Sequence, residues 1–437
     1  MKKIVSFDKE LVQSYLSDKG VIIISGHSST RLSLLKTFSQ MGFNRDKIYK
    51  AENFNEGLGL IQQNQPNFIF ASSQLNNKTG YDLLETHLQI YPNRLIAGFC
   101  IISPDNSLSE TCKVSEKEID LQIIQPFTAQ SVIDSFYESI NSKVSPNNFQ
   151  KAIEEARSYI HQKQYDLALT ILEQIKMMDN PVLAYFYEGQ IYRNLEKIDK
   201  AVSSFEEGLT FDKHHFLTLN SLLEIYLERK NYPKAYKICN TIFKKYPINP
   251  EKIPDISRCM IATGNCDQLV SYFKTYKQKD YLSPTLSRAI AAALAIAGKY
   301  YLKFNRRKDA IKVLKEAGQM AKGNIPILKS IISSLIMAKL PEEADRLLMT
   351  IESEYRTNPE VIVMELEVFD HFGNAAQILK RATDSLNNGI KDPVVYDIII
   401  KRSLELGKID YAKEQCFKAK QEFPELQAHF NSYLKTG

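Results

Sequence analysis

The chain has 437 residues, 44% hydrophobic and 24% charged, a globular composition that is neither disordered nor fibrous and is too long for one ordinary core. Its net charge of +5 is small for this length and sits almost wholly in the C-terminal two thirds, since residues 1–146 carry about 14 basic against 15 acidic side chains, a bias too weak to predict nucleic-acid binding, which wants a dense basic patch. Cys100, Cys112, Cys239, Cys259, Cys266 and Cys416 form no CxxC and pair with no histidine, which suggests reduced, mostly buried thiols of a cytosolic protein. Met1–Lys19 has two early lysines, but Asp8, Lys9 and Glu10 interrupt any apolar run, and no window approaches 18 apolar residues. Neither a secretory signal nor a membrane span is expected.

After an amphipathic lead-in at Asp8–Leu16, strands and helices alternate. Gly20–Ile24 is a β-branched run, Ser29–Met41 has helical period, Lys47–Ala51 is a short strand and Glu56–Asn64 a helix. Phe68–Ala71, Tyr81–Ile90, Leu95–Ile102, Leu108–Glu118, Leu121–Ile124 and Ala129–Asn141 continue the alternation. Five strands alternating with helices predict a doubly wound parallel sheet whose ligand site lies at the carboxyl ends of its strands.

Those ends carry a resemblance. The segments VIIISGHSSTRLSLLKTFSQMGF, FIFASSQLNNKTGYDLL, LIAGFCIIS and LQIIQPFTAQSV together resemble the receiver domain of two-component response regulators over residues 20–140. Arg31, Gly80 and Pro126-Phe127-Thr128 are in register with that pattern. The resemblance implies a flavodoxin-like five-stranded sheet and a cis peptide bond before Pro126. It places two Mg²⁺-holding acidic residues at Ser25 and Gly26, the phosphoacceptor aspartate at Ser72, the switching hydroxyl at Ser103 and the phosphate-pairing lysine at Gln125. A divalent site needs carboxylate oxygens and an acyl phosphate needs a carboxylate to form on. The matched positions offer neither, so the domain is expected to be a pseudo-receiver, without metal or cofactor. Ser72 as an ester acceptor and His27 as a ligand are the competing readings. Docking is then expected through Leu108–Glu118, Leu121–Ile124 and Ala129–Asn141, the surface that mediates dimerisation or partner contact in the receivers it resembles.

Ser142–Asn148 is polar, contains proline and reads as a linker, which sets the divisions at 1–141, 142–148 and 149–437. Beyond it, Ala168, Ala201, Ala235, Leu269, Ala310, Ala344, Ala376 and Ala412 recur at intervals of 33, 34, 34, 41, 34, 32 and 36. Asn180-Pro181, Asn249-Pro250, Ser283-Pro284, Asn358-Pro359 and Asp392-Pro393 each set a capping side chain before a proline, a helix-start signal. In Ala184–Asp212, Tyr185, Gly189 and Tyr192 mark one helix face and Ala201 and Phe205 the next. That spacing resembles the tetratricopeptide repeat, with Glu188 departing from the family leucine. Gly298 with Tyr301 repeats it, Pro247 and Pro424 fall at the closing proline, and the 41-residue interval implies a long helix at Pro284–Phe304 or a longer connection at Lys277–Leu282. Eight stacked hairpins with a capping helix from Pro424 to Leu434 are expected to form an α-solenoid.

Family positions that line the repeat groove fall on Phe186, Gln190, Arg193, Asn220, Glu224, Lys299, Lys303 and Lys401, which would suit an acidic peptide or a terminal carboxylate of a protein partner. No catalytic constellation is legible: His214 and His215 are adjacent but lack a partner at metal spacing, and there is no phosphate loop. The leading expectation is a cytosolic bacterial signalling adaptor, without enzymatic activity, that joins protein partners through its groove and its pseudo-receiver surface, a homodimer included. The alternatives are a response regulator that still switches by atypical phosphorylation or small-molecule binding, and a basic helical-repeat protein that binds RNA.

Overall fold

The computed structural model describes residues 9–104, 107–246, 249–279, 282, 284–321 and 323–433. The chain divides into two compact units, Met1–Lys252 and Ile253–Gly437. The first holds an α/β domain and three helical hairpins, the second five further hairpins and a terminal helix.

The α/β domain opens with α1 (Lys9–Leu16). Its sheet consists of β1 (Val21–Ile24), β2 (Ile48–Ala51), β3 (Phe68–Ser72), β6 (Gly98–Ser103) and β7 (Leu121–Ile124), in the order β2-β1-β3-β6-β7, all parallel. A two-residue hairpin, β4 (Gln74–Leu75) with β5 (Lys78–Thr79), stands apart from the sheet. The helices are α2 (Ser28–Met41), α3 (Phe54–Asn64), α4 (Leu84–Ile90), α5 (Leu108–Glu116) and α6 (Ala129–Val144). Counting sheet strands alone, this is the 2-1-3-4-5 order of the flavodoxin-like doubly wound fold.

The strands are apolar on both faces because helices cover both. Val21, Ile23, Phe68, Phe70 and Ile102 pack with Leu34 and Phe38 of α2 and Val132 and Phe136 of α6. Their alternates Ile22, Ile24, Ile69, Phe99 and Ile101 pack with Phe54 and Ile61 of α3 and Leu84 and Leu88 of α4. At the amino end of β7, buried Asp120 holds Lys143 Nζ at 2.8 Å and the Arg94 guanidinium at 2.5 Å, and accepts the Phe99 amide at 2.8 Å. Burial alone would raise its carboxyl pKa, but Arg94 and Lys143 outweigh that and hold it well below the usual carboxylate range. The same triad explains why α6 runs to Val144, beyond the expected Asn141: Lys143 is tied to Asp120 and to the Arg94 carbonyl, 2.6 Å away. Only Ser145–Asn147 separate α6 from the next helix.

From there the hairpins are α7 (Asn148–His161) with α8 (Tyr165–Lys176), α9 (Val182–Asn194) with α10 (Ile198–Phe211), and α11 (Phe216–Glu228) with α12 (Tyr232–Lys245). In the second unit they are α13 (Ile253–Ala262) with α14 (Cys266–Lys279), α15 (Pro284–Lys303) with α16 (Arg307–Ala321), and α17 (Ile325–Met337) with α18 (Pro341–Leu348). Next come α19 (Pro359–Phe369) with α20 (Ala375–Asn387), α21 (Pro393–Glu405) with α22 (Ile409–Glu422), and α23 (Gln427–Tyr433). The long interval resolves into the 20-residue α15. Lys163, Glu196, Lys230, Gly264, Asn305, Lys339 and Gly407 each take a left-handed conformation in the turn inside a hairpin, and five of these seven positions carry a side chain.

Among the predicted caps, Asn358 and Asp392 accept from the amides of Glu360 and Val394. Asn180 departs: it adopts φ 59° and Pro181 takes the N-cap position, so the proline stands before the helix and not in its first turn. Ser283, Pro247, Met1–Asp8 and Leu434, used in sequence-based expectations, lie outside the described residues. Cys100, Cys112, Cys239, Cys259, Cys266 and Cys416 are buried thiols, and among the described residues no helix is long and apolar enough to cross a membrane.

Within each hairpin small residues set the contact distance. A Cβ on Gly189 would lie 2.4 Å from Cε1 of Phe205, a ring with no exposed surface. Gly189→Ala is therefore expected to destabilise the chain by about 1–3 kcal/mol in denaturant titration. Asp120→Asn leaves Arg94 and Lys143 facing a neutral partner, with an expected cost of about 3–5 kcal/mol. Because the folded pKa of Asp120 lies below its unfolded value of about 3.9, its contribution is complete above that pH and is lost as pH falls through the folded value. The wild type should thus lose more stability below pH ~4 than the variant does, measured by thermal midpoint against pH.

Candidate functional site

The carboxyl ends of β1, β3 and β6 border a cleft of about 330 Å³ whose lining includes Gly26, His27, Glu52, Ser72, Asn76 and Gln125. Gly26, Ser72 and Gln125 are thus brought together, as the sequence predicts. Ser25 and Ser103 sit fully buried at their strand ends beside it. Parallel register produces this convergence: Ser25 N donates to the Ala51 carbonyl at 3.0 Å, Ser73 N to the Ile102 carbonyl at 2.8 Å and Gln125 N to the Ser103 carbonyl at 2.9 Å. Gly80 is required where the loop folds back, since a Cβ there would lie 2.3 Å from the Ser72 carbonyl oxygen. The bond between Gln125 and Pro126 is cis, as the resemblance implies.

The chemistry at those positions is neutral. Ser25 Oγ accepts from the His27 amide at 3.3 Å, and Gln125 Nε2 donates to Thr30 Oγ1 at 2.8 Å. One carboxylate lines the cleft among the described residues: Glu52, at the end of β2, which forms an ion pair with Arg31. Arg31 also donates to the Ser25 carbonyl at 2.6 Å, so this cation ties α2 to the carboxyl end of β1. Among the described residues, no group of three or more His, Cys, Asp or Glu side chains converges as a metal site requires.

The predicted groove residues are placed differently. Phe186 is 4% exposed and Asn220 8%, so both belong to the packed interior. Phe186 turns inward because its ring fills the space among Tyr187, Phe205 and His215, at centroid distances of 5.0, 6.1 and 5.7 Å. Most of the polar set binds neighbouring first helices. Gln190 Nε2 donates to Ser221 at 2.9 Å, Arg193 pairs with Glu224 at 2.7 Å and Glu228 at 2.8 Å, Lys299 donates to Ser330 at 2.7 Å, and Lys401 pairs with Asp370 at 2.9 Å. Four of these links span 31 residues, one helical turn less than the repeat period, because a side chain reaching across lands one turn back on the next helix. Lys303 is exposed at the end of α15.

Glu224 also pairs with Lys252 at 2.8 Å. Burial favours its neutral form, but Lys252 and Arg193 prevail and hold its pKa below the ordinary carboxylate value. The sequence offered no signal for the residues that complete this wall. Arg157, Tyr187, Asn249 and Lys252 all point at the turn after α5: Tyr187 donates to Glu118 at 2.7 Å, Arg157 lies 3.6 Å from it, and Asn249 and Lys252 reach Glu116 at 2.7 and 3.3 Å. A further cleft of about 540 Å³ adjoins these contacts, with Glu118, His161, Tyr187 and Gln190 in its lining. Burial, with Arg157 nearby, lowers the pKa of His161 there.

The sheet order and the consecutive hairpins define a flavodoxin-like α/β domain followed by helical repeats. No family model matches the chain. Among curated proteins it is similar to the BBSome complex member BBS4 of Bos taurus, with 22% identity over 214 residues, 49% of this chain and 40% of that protein. The chain therefore spans less than half the length of that relative. Among solved structures it is similar to the chemotaxis response regulator CheY4 of Vibrio cholerae, with 13% identity and a TM-score of 0.25, covering 28% of this chain and 98% of the other. The response regulator receiver domain protein of Clostridium thermocellum gives 19%, 0.25, 29% and 96%. The CheY-like receiver domain protein of Methanospirillum hungatei JF-1 gives 18%, 0.26, 30% and 98%.

The ladder between first helices makes a measurable prediction. A double-mutant cycle with Arg193→Ala and Glu224→Ala is expected to return a coupling of about 1 kcal/mol at low salt, declining as salt is raised.

Proposed function

We propose that this chain is a non-enzymatic signalling adaptor, in which a receiver-like domain that takes no phosphoryl group is joined to repeats that bind protein partners. The observation that carries the reading is the donor set at the strand ends. Ser25, Gly26 and Ser72 stand where Mg²⁺ binding and acyl-phosphate formation call for carboxylates, and the amide of Gln125 is engaged by Thr30. Glu52 is the remaining carboxylate of the lining, and Arg31 neutralises it. A single paired carboxylate is a poor anchor for a hard divalent cation.

The repeats supply the binding half of the proposal. Stacked hairpins present an extended wall of first helices, the surface on which a peptide or helix is held by side chains from several units. In the second unit Lys299 and Lys303 lie one turn apart on α15 and offer cations to an acidic segment. The use is protein docking within two-component-type signalling.

Intact mass after incubation of the purified chain with acetyl phosphate and Mg²⁺ tests the first half. No added phosphate is expected, and Mg²⁺ alone should leave the thermal midpoint unchanged. A phosphorylated species would favour a regulator that switches. For the second half, a partner isolated on the full chain should be lost from Lys299→Glu/Lys303→Glu with the fold intact by circular dichroism; retention would remove that wall from the binding site.

A further inference from the structure

The turn that follows α5 is held in an unusual form. Glu118 adopts φ 49°, a left-handed conformation that costs a non-glycine residue about 1 kcal/mol or more. Glu116 places a carboxylate in the last turn of α5, where the helix dipole disfavours negative charge. Neither choice is favoured by local sequence. The turn is nonetheless fixed: Glu118 N donates to the Ser115 carbonyl at 3.1 Å, Ile119 N to the Val114 carbonyl at 2.9 Å, and Arg94 to the Glu118 carbonyl at 2.7 Å. The Asp120 triad holds the next residue but one. The result is a rigid projection carrying two carboxylates separated by one residue.

The repeats receive it with groups from three hairpins or their edges. Tyr187 of α9 donates to Glu118, and Arg157 of α7 stands beside it while holding Glu154 at 2.8 Å and lying 5.6 Å from the Tyr187 ring centroid. Burial opposes the charge on Arg157, but Tyr187, Glu118 and Glu154 outweigh it and favour the guanidinium. Asn249 and Lys252, after α12, take Glu116, and Glu251 pairs with Lys113 at 3.0 Å. The Glu116 side chain retains 12% of its exposure, Arg157 12%, Lys252 19% and Glu118 30%, so the Glu116–Lys252 pair is largely desolvated, the kind that costs heavily when one partner is lost, and the Glu118 pair is partly so. Lys252 is shared with Glu224, which joins the contact to the Arg193 ladder.

We infer that the receiver-like domain is an internal ligand of its own repeats: Glu116 and Glu118 occupy a two-carboxylate cradle formed by Arg157, Tyr187, Asn249 and Lys252, and an acidic segment of another protein gains that wall only when they withdraw. The biological use of this closure rests on the adaptor reading above, whereas the closure itself does not. It explains why a domain with neutral strand ends keeps a strained acidic turn. It also identifies the kind of partner the wall fits, a protein segment with two carboxylates flanking one residue.

The test uses the full chain with Glu116→Gln and Glu118→Gln, isosteric changes that remove charge, and separately with Lys252→Met, which leaves the α/β domain untouched. Hydrogen exchange at amides 113–120 is expected to quicken at least tenfold in both, while β1 and β3 stay protected. A fluorescent synthetic peptide of this chain's own residues 113–121 is then added in trans. The double variant should bind it at least tenfold more tightly than the wild type, and lose it when Arg157→Met and Lys252→Met are added. Unchanged exchange in both variants, equal peptide binding by wild type and double variant, or no binding by the double variant would overturn the inference. These readouts involve no cellular partner, so their failure leaves the adaptor reading standing, and failure of partner capture leaves the closure standing.

Discussion

The buried triad of Asp120 with Arg94 and Lys143 is the constraint on which the first unit depends. It ties three separate pieces of chain: the loop before β6, the amino end of β7 and the last turn of α6. An uncompensated charge there would be costly, so the three must assemble together or not at all. Two consequences follow. Helix α6 is drawn out to Val144, leaving three residues before the repeats begin, and Arg94 grips the Glu118 backbone, which fixes the turn that meets the repeats. The α/β domain and the first hairpins are in this way joined by short covalent distance and by ion pairs, which is why they form one compact unit ending at Lys252.

Along the repeats a different economy operates. Small residues such as Gly189 and Ala201 bring the helices of a hairpin close, and rings such as Phe205 fill what remains. The polar face of one first helix is then satisfied largely by the next, through links such as Arg193 to Glu224 and Lys401 to Asp370. A groove position in a family pattern thus need not be a free binding group. In the first unit the wall is occupied by its own neighbours and by the turn at Glu116–Glu118, whereas Lys303 of the second unit stays exposed.

Much of the architecture was legible because its signals are local. Strand–helix alternation, the recurring small residue near every 34 positions and the Gly189–Phe205 pattern all arise within one hairpin or one βα unit. The neutral set at Ser25, Gly26, Ser72 and Gln125 was legible for a related reason: strand ends are fixed points of the fold, so residues beside them converge wherever the register is parallel. Glu52 escaped notice because only pairing of β2 with β1 brings it to the cleft. Phe186 was misplaced since helical period assigns a face, but not what packs over it.

By itself, the sequence determined the α/β sheet, the hairpin repeat and the neutral residues at the strand ends, because each is written in residues a few turns or one strand apart. Only the tertiary structure decided which groove side chains are spent on neighbours, and that Glu118 meets Tyr187 across 69 residues and Glu116 meets Asn249 across 133. Such pairs carry no periodic trace. An ion pair between distant segments depends on how the intervening elements pack, and a glutamate on a polar helix end looks the same in sequence whether it faces water or a guanidinium.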